Sequence, residues 1–353
     1  MNKKIKVMVV DDSNLFRQMI MQILASQSDI EVVGYAINAY DAKNKIPQLK
    51  PDVLTLDVEM PGLSGIDFLK QLLPTNPIPV VLVSSLNLSV FDALSAGAVD
   101  FVRKPDMSKR NSKDIFSQTL ALKVRAASKA KVRIGVQRPS ASTPVTKTNR
   151  ASIAFPSLSR TVLDSTIIGI GASTGGTEAT LAVLENLPAQ MPGIVVTQHM
   201  PEGFTAMYAQ RLNRICNLEV KEAQNGDVIR PGLVLIAPGG KQMEVVRSGR
   251  NYTVQCHLGA KVSGHAPSVD VLFSTIAKNV AIRKVGIIMT GMGSDGAEGL
   301  LKMRKAGAYT IGQDKETCVV YGMPMVAYKI GAVCTQTSLD NIPSVLMQHL
   351  AGK

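Results

Sequence analysis

The sequence predicts an α/β protein with two doubly wound parallel sheets in tandem, the first flavodoxin-like and the second Rossmann-like with a β-hairpin insertion. Three observations predict it. Apolar strand-like runs alternate with helical periodicity five times before residue 123. The apolar run 166–171 then stops in the small-residue turn Ala172-Ser173-Thr174-Gly175-Gly176, and an amphipathic segment follows. Between these regions, over 124–160, apolar periodicity lapses in favour of Ser, Thr, Lys, Arg and Pro, the texture of a linker whose first third has helical character. A chain of 353 residues, 45% of them hydrophobic, is long enough for a core in each half. The expected division is 1–123, a linker over 124–160, and 161–353.

In the first half the strands are read at 5–10, 32–36, 51–57, 80–83 and 98–102. Helical periodicity follows the first (Leu15, Met19, Ile20, Ile23, Leu24), and a second helix is read over 41–49. Such sheets bind ligands beyond the carboxyl ends of their strands. The chemistry-bearing residues fall at those ends: Asp11 and Asp12, Asp57, Ser84, and Lys104. Three carboxylates at one place repel one another unless a cation joins them, and an all-oxygen, partly hydrated ligand set suits Mg²⁺. A phosphoryl group on Asp57 would have its charge balanced by that cation, by Lys104 and by a hydroxyl such as Ser84.

The net charge of +12 is concentrated. Residues 103–150 hold 13 Lys and Arg against two acids, Asp106 and Asp114. A basic stretch of this kind is a solvated linker, a tether or a nucleic-acid arm. Nothing in it resembles a helix-turn-helix, and with no Trp and 4% aromatic residues nothing suggests stacking on bases. The N-terminus is not a signal peptide, and no apolar run approaches the ~20 residues of a membrane helix. Cys216, Cys256, Cys318 and Cys334 are scattered, as expected of reduced core thiols in a cytosolic protein.

In the second half, Ser173 is the candidate nucleophile. Small neighbours let its hydroxyl stand clear, and the helix beginning after it offers free N–H groups and a positive dipole end to an oxyanion. Two other readings compete: a phosphate-cradling loop built on Gly169, Gly171 and Gly175, and a simple helix N-cap. The next strand, 193–198, ends at His199, where a dinucleotide fold would place an acid for the ribose. Adjacent parallel strands would deliver Ser173 and His199 to one sheet edge. The segment 220–257 alternates short strands with turns and reads as β-hairpin insertions at the sheet edge. A buried strand over 285–290 ends in Gly291-Met292-Gly293-Ser294-Asp295-Gly296, and Asp295 supplies the carboxylate that a Ser–His pair needs. His257, His265 and His349 are rivals to His199, with His265 the strongest because it precedes the helix start at Pro267.

Two resemblances follow from these residues. Asp11-Asp12-Ser13, Leu56-Asp57-Val58-Glu59-Met60-Pro61-Gly62, Val83-Ser84-Ser85 and Arg103-Lys104-Pro105 resemble the receiver domain of two-component response regulators. The resemblance implies Asp57 as phosphoacceptor, a metal site of Asp11, Asp12 and Asp57, and a switch formed by Ser84, Phe101 and Lys104. In that family the bond before the equivalent of Pro105 is often cis. Only residues 86–96 separate Ser85 from Gly97, so the fourth helix is expected to be short. Gly171-Ala172-Ser173-Thr174-Gly175-Gly176, Gln198-His199-Met200-Pro201, Pro267-Ser268-Val269-Asp270 and Thr290-Gly291-Met292-Gly293-Ser294-Asp295-Gly296 resemble the CheB-type protein-glutamate methylesterases and protein-glutamine deamidases of chemotaxis. That resemblance implies Ser173, His199 and Asp295 as the triad, with Thr174 and Met292 lining the site and the Met292 main chain as oxyanion donor. It also implies Mg²⁺ for phosphorylation and none for hydrolysis. The implied partners are a CheA-type histidine kinase as phosphodonor and methyl-accepting chemotaxis receptors as substrate, met by peripheral association in the cytoplasm. The receiver is expected to gate the hydrolase. His265 is flanked by Gly264 and Ala266, where the family commonly has basic residues.

Overall fold

In a computed structural model the chain forms two compact units, Met1–Lys147 and Thr148–Lys353. The structure describes residues 3–85, 88–108, 112–132 and 155–352. The middle of the expected linker, 133–154, lies outside the described residues.

The first unit runs β1 Ile5–Val10, α1 Asn14–Ala25, β2 Ile30–Ala36, α2 Ala39–Leu49, β3 Val53–Asp57, α3 Gly65–Leu72, β4 Val80–Ser84, α4 Ser89–Ser95, β5 Asp100–Arg103 and α5 Ser112–Ala127. Its five strands are parallel, in the order β2-β1-β3-β4-β5. Every residue of β3 and β4 is buried, because helices cover both faces of a parallel sheet. The Ser13 hydroxyl caps α1 by accepting from Phe16 N–H, and Asn38 and Ser64 cap α2 and α3 in the same way. α4 has only seven residues, as its spacing predicts, and no side-chain cap. α5 continues four residues into the segment expected as linker.

The second unit runs α6 Arg160–Asp164, β6 Thr166–Ala172, α7 Gly176–Glu185, β7 Gly193–Gln198, α8 Phe204–Ile215, β8 Glu219–Glu222, β9 Leu233–Ile236, β10 Gln242–Ser248, β11 Asn251–His257, α9 Val269–Asn279, β12 Arg283–Ile288, α10 Ala297–Lys305, β13 Tyr309–Gln313, α11 Met323–Lys329, β14 Thr335–Thr337 and α12 Ile342–Leu350. Seven strands form one parallel sheet in the order β14-β13-β12-β6-β7-β9-β8. This corrects part of the expectation for 220–257. Only β10 and β11 form an antiparallel hairpin, turning at Gly249-Arg250. β8 and β9 are parallel strands of the main sheet, and β9 is buried at all four positions because it lies between β7 and β8. The hairpin rests on α9, and β11 also bonds the segment that follows the edge strand β8, where Gly226 N–H donates to Val254 O (2.8 Å). Val245 N–H donates to Thr275 Oγ1 (3.1 Å), and Asn279 Nδ2 donates to Val245 O (2.7 Å).

Leu272, Phe273 and Ile276 of α9 are fully buried with Val269, Leu300 and Met303. Each such side chain contributes about 1.5–3 kcal/mol by leaving water. Gly169, within β6, makes room for that helix: a Cβ there would stand 2.7 Å from Ile276 Cδ1 and 3.2 Å from Phe273 Cε1. Its glycine is therefore explained by helix-on-strand packing, with no phosphate required.

Among the described residues the one cis peptide is Ala266–Pro267; Lys104–Pro105 is trans, unlike the expectation. No described helix is long and apolar enough to cross a membrane. Cys216 and Cys318 are buried, but Cys334 is exposed, contrary to its expected place in the core, because it lies where the chain enters the edge strand β14.

Candidate functional site

β6 and β7 pair in parallel with Ala172 opposite Gln198, so the next residues, Ser173 and His199, leave the sheet side by side. The His199 N–H donates to Ala172 O (3.2 Å), extending the pairing one step further. The Ser173 turn is fastened from three sides. Its N–H donates to Thr290 O (3.0 Å), and its carbonyl accepts from Gly176 N–H (2.7 Å) and Gln198 Nε2 (2.9 Å). Gly175 adopts φ +77, in the left-handed region that glycine tolerates, and opens α7 directly behind the serine. Ser173 is 6% exposed and His199 8%, so both stand in a largely dry site.

His199 Nε2 lies 2.7 Å from Asp295 Oδ2. Asp295 follows β12, the strand on the other side of β6 from β7. Its carboxylate is saturated with donors: Ser268 Oγ at 2.7 Å and Asp270 N–H at 3.1 Å to Oδ1, and Val269 N–H at 2.8 Å to Oδ2. The N-terminus of α9 therefore points at it, adding a favourable dipole. Burial pushes the Asp295 pKa up, but His199, Ser268 and the Val269 amide outweigh burial and hold it down at about 2. An ionised carboxylate only accepts hydrogen bonds, so Nε2 carries the ring proton. In the neutral ring Nδ1 is then the lone-pair nitrogen; it is buried and has no hydrogen-bond partner among the described residues.

Two of the rival histidines are occupied elsewhere. His257 Nε2 faces Glu244 at 3.2 Å, and His349 stacks on Tyr309 with ring centroids 4.0 Å apart. His265 stacks on His199 itself, centroids 3.6 Å apart and planes 10° from parallel. Thr174 is buried, and its carbonyl accepts from Thr290 Oγ1 (3.0 Å). Met292 is part-exposed beyond Gly291, whose carbonyl accepts from Gly322 and Met323 N–H. Among the described residues the Met292 N–H has no backbone acceptor.

In the first unit, Asp11, Asp12 and Asp57 each offer a carboxylate oxygen within 4.8 Å of the others. Lys104 Nζ donates to Asp57 Oδ2 (2.6 Å) and lies 3.3 Å from Asp11 Oδ2. That Asp11 oxygen is buried and lacks a well-aligned hydrogen bond. Burial, with Asp57 adding to it, raises the Asp11 pKa to about 6 against the pull of Lys104. Burial likewise raises Asp57 despite Lys104. Burial pulls Lys104 down, but Asp57 and Asp11 hold its pKa above the ordinary value. Three carboxylates crowded within 4.8 Å, two of them buried and facing a single ammonium, form an all-oxygen cluster that fits a hard divalent cation. The Ser84 hydroxyl is buried one strand from Asp57, with no hydrogen-bond partner among the described residues, and Phe101 is buried.

The CheB methylesterase family model matches residues 168–346, and the response regulator receiver domain model matches residues 7–113.

The chain belongs to the CheB methylesterase family.

It is 51% identical to a protein-glutamate methylesterase/protein-glutamine glutaminase 2 of Syntrophomonas wolfei, over 98% of this chain and 97% of that one. It is 45% identical to the protein-glutamate methylesterase/protein-glutamine glutaminase of Salmonella typhimurium, over 99% of this chain and 98% of that one. The crystal structure of the Thermotoga maritima CheB methylesterase catalytic domain superposes with a TM-score of 0.51 at 36% identity, covering 52% of this chain and 97% of that chain. The receiver in front of a CheB-type catalytic domain makes this a response regulator of the two-component kind.

Sequence reasoning passes over several residues that build this candidate site. Gln198 is readable only as the last residue of a strand, yet it ties the Ser173 turn to the His199 turn. Ser268 is legible as a helix start; it both caps α9 and holds Asp295. Gln242, on the hairpin, donates to His265 O (3.0 Å) and accepts from Ser268 N–H (2.9 Å). No local pattern marks it.

Proposed function

We propose that this chain hydrolyses the γ-methyl esters of glutamate on the cytoplasmic helices of methyl-accepting chemotaxis receptors, and deamidates glutamine there by the same steps. The observation that carries the reading is His199. One ring nitrogen is committed to Asp295, and the other is buried beside the Ser173 turn without a partner among the described residues.

Ser173 Oγ attacks the ester carbonyl as its proton passes to His199 Nδ1. Negative charge develops on the carbonyl oxygen, where the N-terminus of α7 and the Met292 N–H are the donors. The tetrahedral intermediate collapses, the carbon–methoxy bond breaks, and the His199 proton leaves with methanol. Water then gives a proton to Nδ1 and attacks the acyl-serine, which releases glutamate and restores the serine hydroxyl. With glutamine, ammonia leaves in place of methanol. Asp295 keeps the ring in the Nε2–H tautomer and stabilises the imidazolium while it exists.

The receiver is read as the regulator. Asp57 accepts a phosphoryl group from a CheA-type histidine kinase, and the hydrolase rate rises. A Mg²⁺ ion held by Asp11, Asp12 and Asp57 would offset negative charge as the phosphoryl group arrives. Lys104 pairs with that group, and the Ser84 hydroxyl donates to it. Phe101 belongs to the same switch.

The experiment is methanol release from methylated receptor membranes, with and without acetyl phosphate. The full chain releases methanol faster with the phosphodonor, and Ser173→Ala releases essentially none. Substantial turnover by a folded Ser173→Ala enzyme would remove this nucleophile from the account.

A further inference from the structure

The bond from His199 Nε2 to Asp295 fixes one point of the imidazole. A single hydrogen bond leaves the ring free to roll about that contact, which would swing the Nδ1 lone pair away from any hydroxyl at Ser173. A second constraint is needed to fix the ring plane, and His265 supplies it. Its ring lies 3.6 Å from that of His199 and 10° from parallel.

His265 is itself held. Its N–H donates to Val262 O (2.9 Å), and its carbonyl accepts from Val262 N–H (3.0 Å) and Gln242 Nε2 (3.0 Å). The same Gln242 accepts from Ser268 N–H (2.9 Å), and the Ser268 hydroxyl donates to Asp295 (2.7 Å). Gln242 is 3% exposed. One buried amide thus links the residue that orients the His199 edge to the residue that covers its face. The Leu258–His265 loop has no regular element of its own, and these bonds help to present the His265 ring.

We propose that His265 is a positioning residue for the hydrolysis, acting by stacking on His199 and without transferring a proton. This rests on the reading of His199 as the base. The arrangement makes a differential contribution as well. Positive charge appears on His199 only when it has taken the serine proton, and an aromatic face above a cation is attractive. Stacking therefore favours the transition state more than the resting enzyme.

The test uses the full chain in three variants, read by methanol release from methylated receptor membranes and by the rate at which a serine-directed fluorophosphonate labels Ser173. His265→Phe keeps a flat aromatic face and cannot carry a proton. His265→Leu keeps bulk without that face, and His265→Ala keeps neither. We expect His265→Phe to stay within about threefold of the parent, and His265→Leu and His265→Ala to lose about tenfold or more in kcat and in labelling rate with KM little changed. A His265→Phe enzyme as impaired as His265→Ala would overturn stacking and point to the imidazole nitrogens. A His265→Ala enzyme with unchanged kcat and labelling would overturn any positioning role. His199→Ala is measured beside them. If it keeps full turnover, the base assignment fails; if it is inactive while His265→Ala is normal, only the inference about His265 fails.

Discussion

His199 meets Asp295 through Nε2, at 2.7 Å, which leaves Nδ1 buried and without a hydrogen-bond partner among the described residues. Many Ser-His-Asp sites use the two nitrogens the other way round, with Nδ1 on the carboxylate. The reversal follows from direction of approach. His199 arrives from β7 on one side of Ser173, and Asp295 arrives from β12 on the other.

Replacing Asp295 by asparagine tests the tautomer. The substituted side chain can turn its amide N–H toward the ring, which forces Nε2 to accept and moves the proton to Nδ1. We expect kcat to fall about 10³–10⁴-fold with KM little changed. The pKa of about 2 for Asp295 also has a sign. It is depressed from 3.8, so its contribution to stability is full above pH 3.8 and fades as pH falls through about 2. The carboxylate consequently does not shape the pH–rate profile above about pH 4. An Asp295→Asn enzyme within about tenfold of the parent would contradict this role.

Ser268→Ala separates geometry from fold. The hydroxyl caps α9 and donates to Asp295 at 2.7 Å. Losing the cap costs about 1 kcal/mol, visible as a lower denaturation midpoint. Losing the bond to a buried carboxylate should lower kcat about tenfold, since about 1.4 kcal/mol corresponds to that factor. A loss of stability with no change in kcat would assign Ser268 to the helix alone.

Gly169→Ala tests why the glycines of β6 are there. The new methyl group meets Ile276 Cδ1 at 2.7 Å and Phe273. We expect destabilisation of about 1–3 kcal/mol from overpacking, read by urea denaturation. Neutral stability together with loss of a bound nucleotide would restore the phosphate-loop reading.

The receiver gives a pH prediction. Burial pushes the Asp11 carboxyl up from 3.8 to about 6 in the folded unit. A raised carboxylate pKa contributes stability that is full below pH 3.8 and lost as pH rises through about 6. Mg²⁺ needs the deprotonated form, so its stabilisation should be strong at about pH 7.5 and much weaker at about pH 5. At about ten times its Kd the ion adds about 1.4 kcal/mol. Thermal unfolding of the receiver transition at both pH values, with and without Mg²⁺, reads this directly. Equal shifts at the two pH values, or a full shift in Asp11→Asn, would contradict it.

Much of this is legible in the sequence because parallel sheets expose chemistry at strand ends, and strand ends are local features. Asp57, Lys104, Ser173, His199 and Asp295 each follow an apolar run that the chain announces by itself. β8 and β9 read as hairpin strands because the turns at Asn225-Gly226 and Pro231-Gly232 look the same whether the next strand folds back or crosses to a parallel neighbour. Gln242 is opaque for a related reason, and His265, legible as a rival histidine before Pro267, is not legible as a ring stacked on His199. Their roles depend on a hairpin and a loop closing over α9 and β7, through contacts between residues far apart in the chain that no periodicity encodes.

The most direct measurement is the site of covalent capture. The full chain is treated with a serine-directed fluorophosphonate and digested, and the modified peptide is mapped by mass spectrometry. The account predicts one adduct, on Ser173, formed in step with loss of methanol release and strongly slowed in His199→Ala. An adduct on another serine that abolishes methanol release while Ser173 stays unmodified would contradict it.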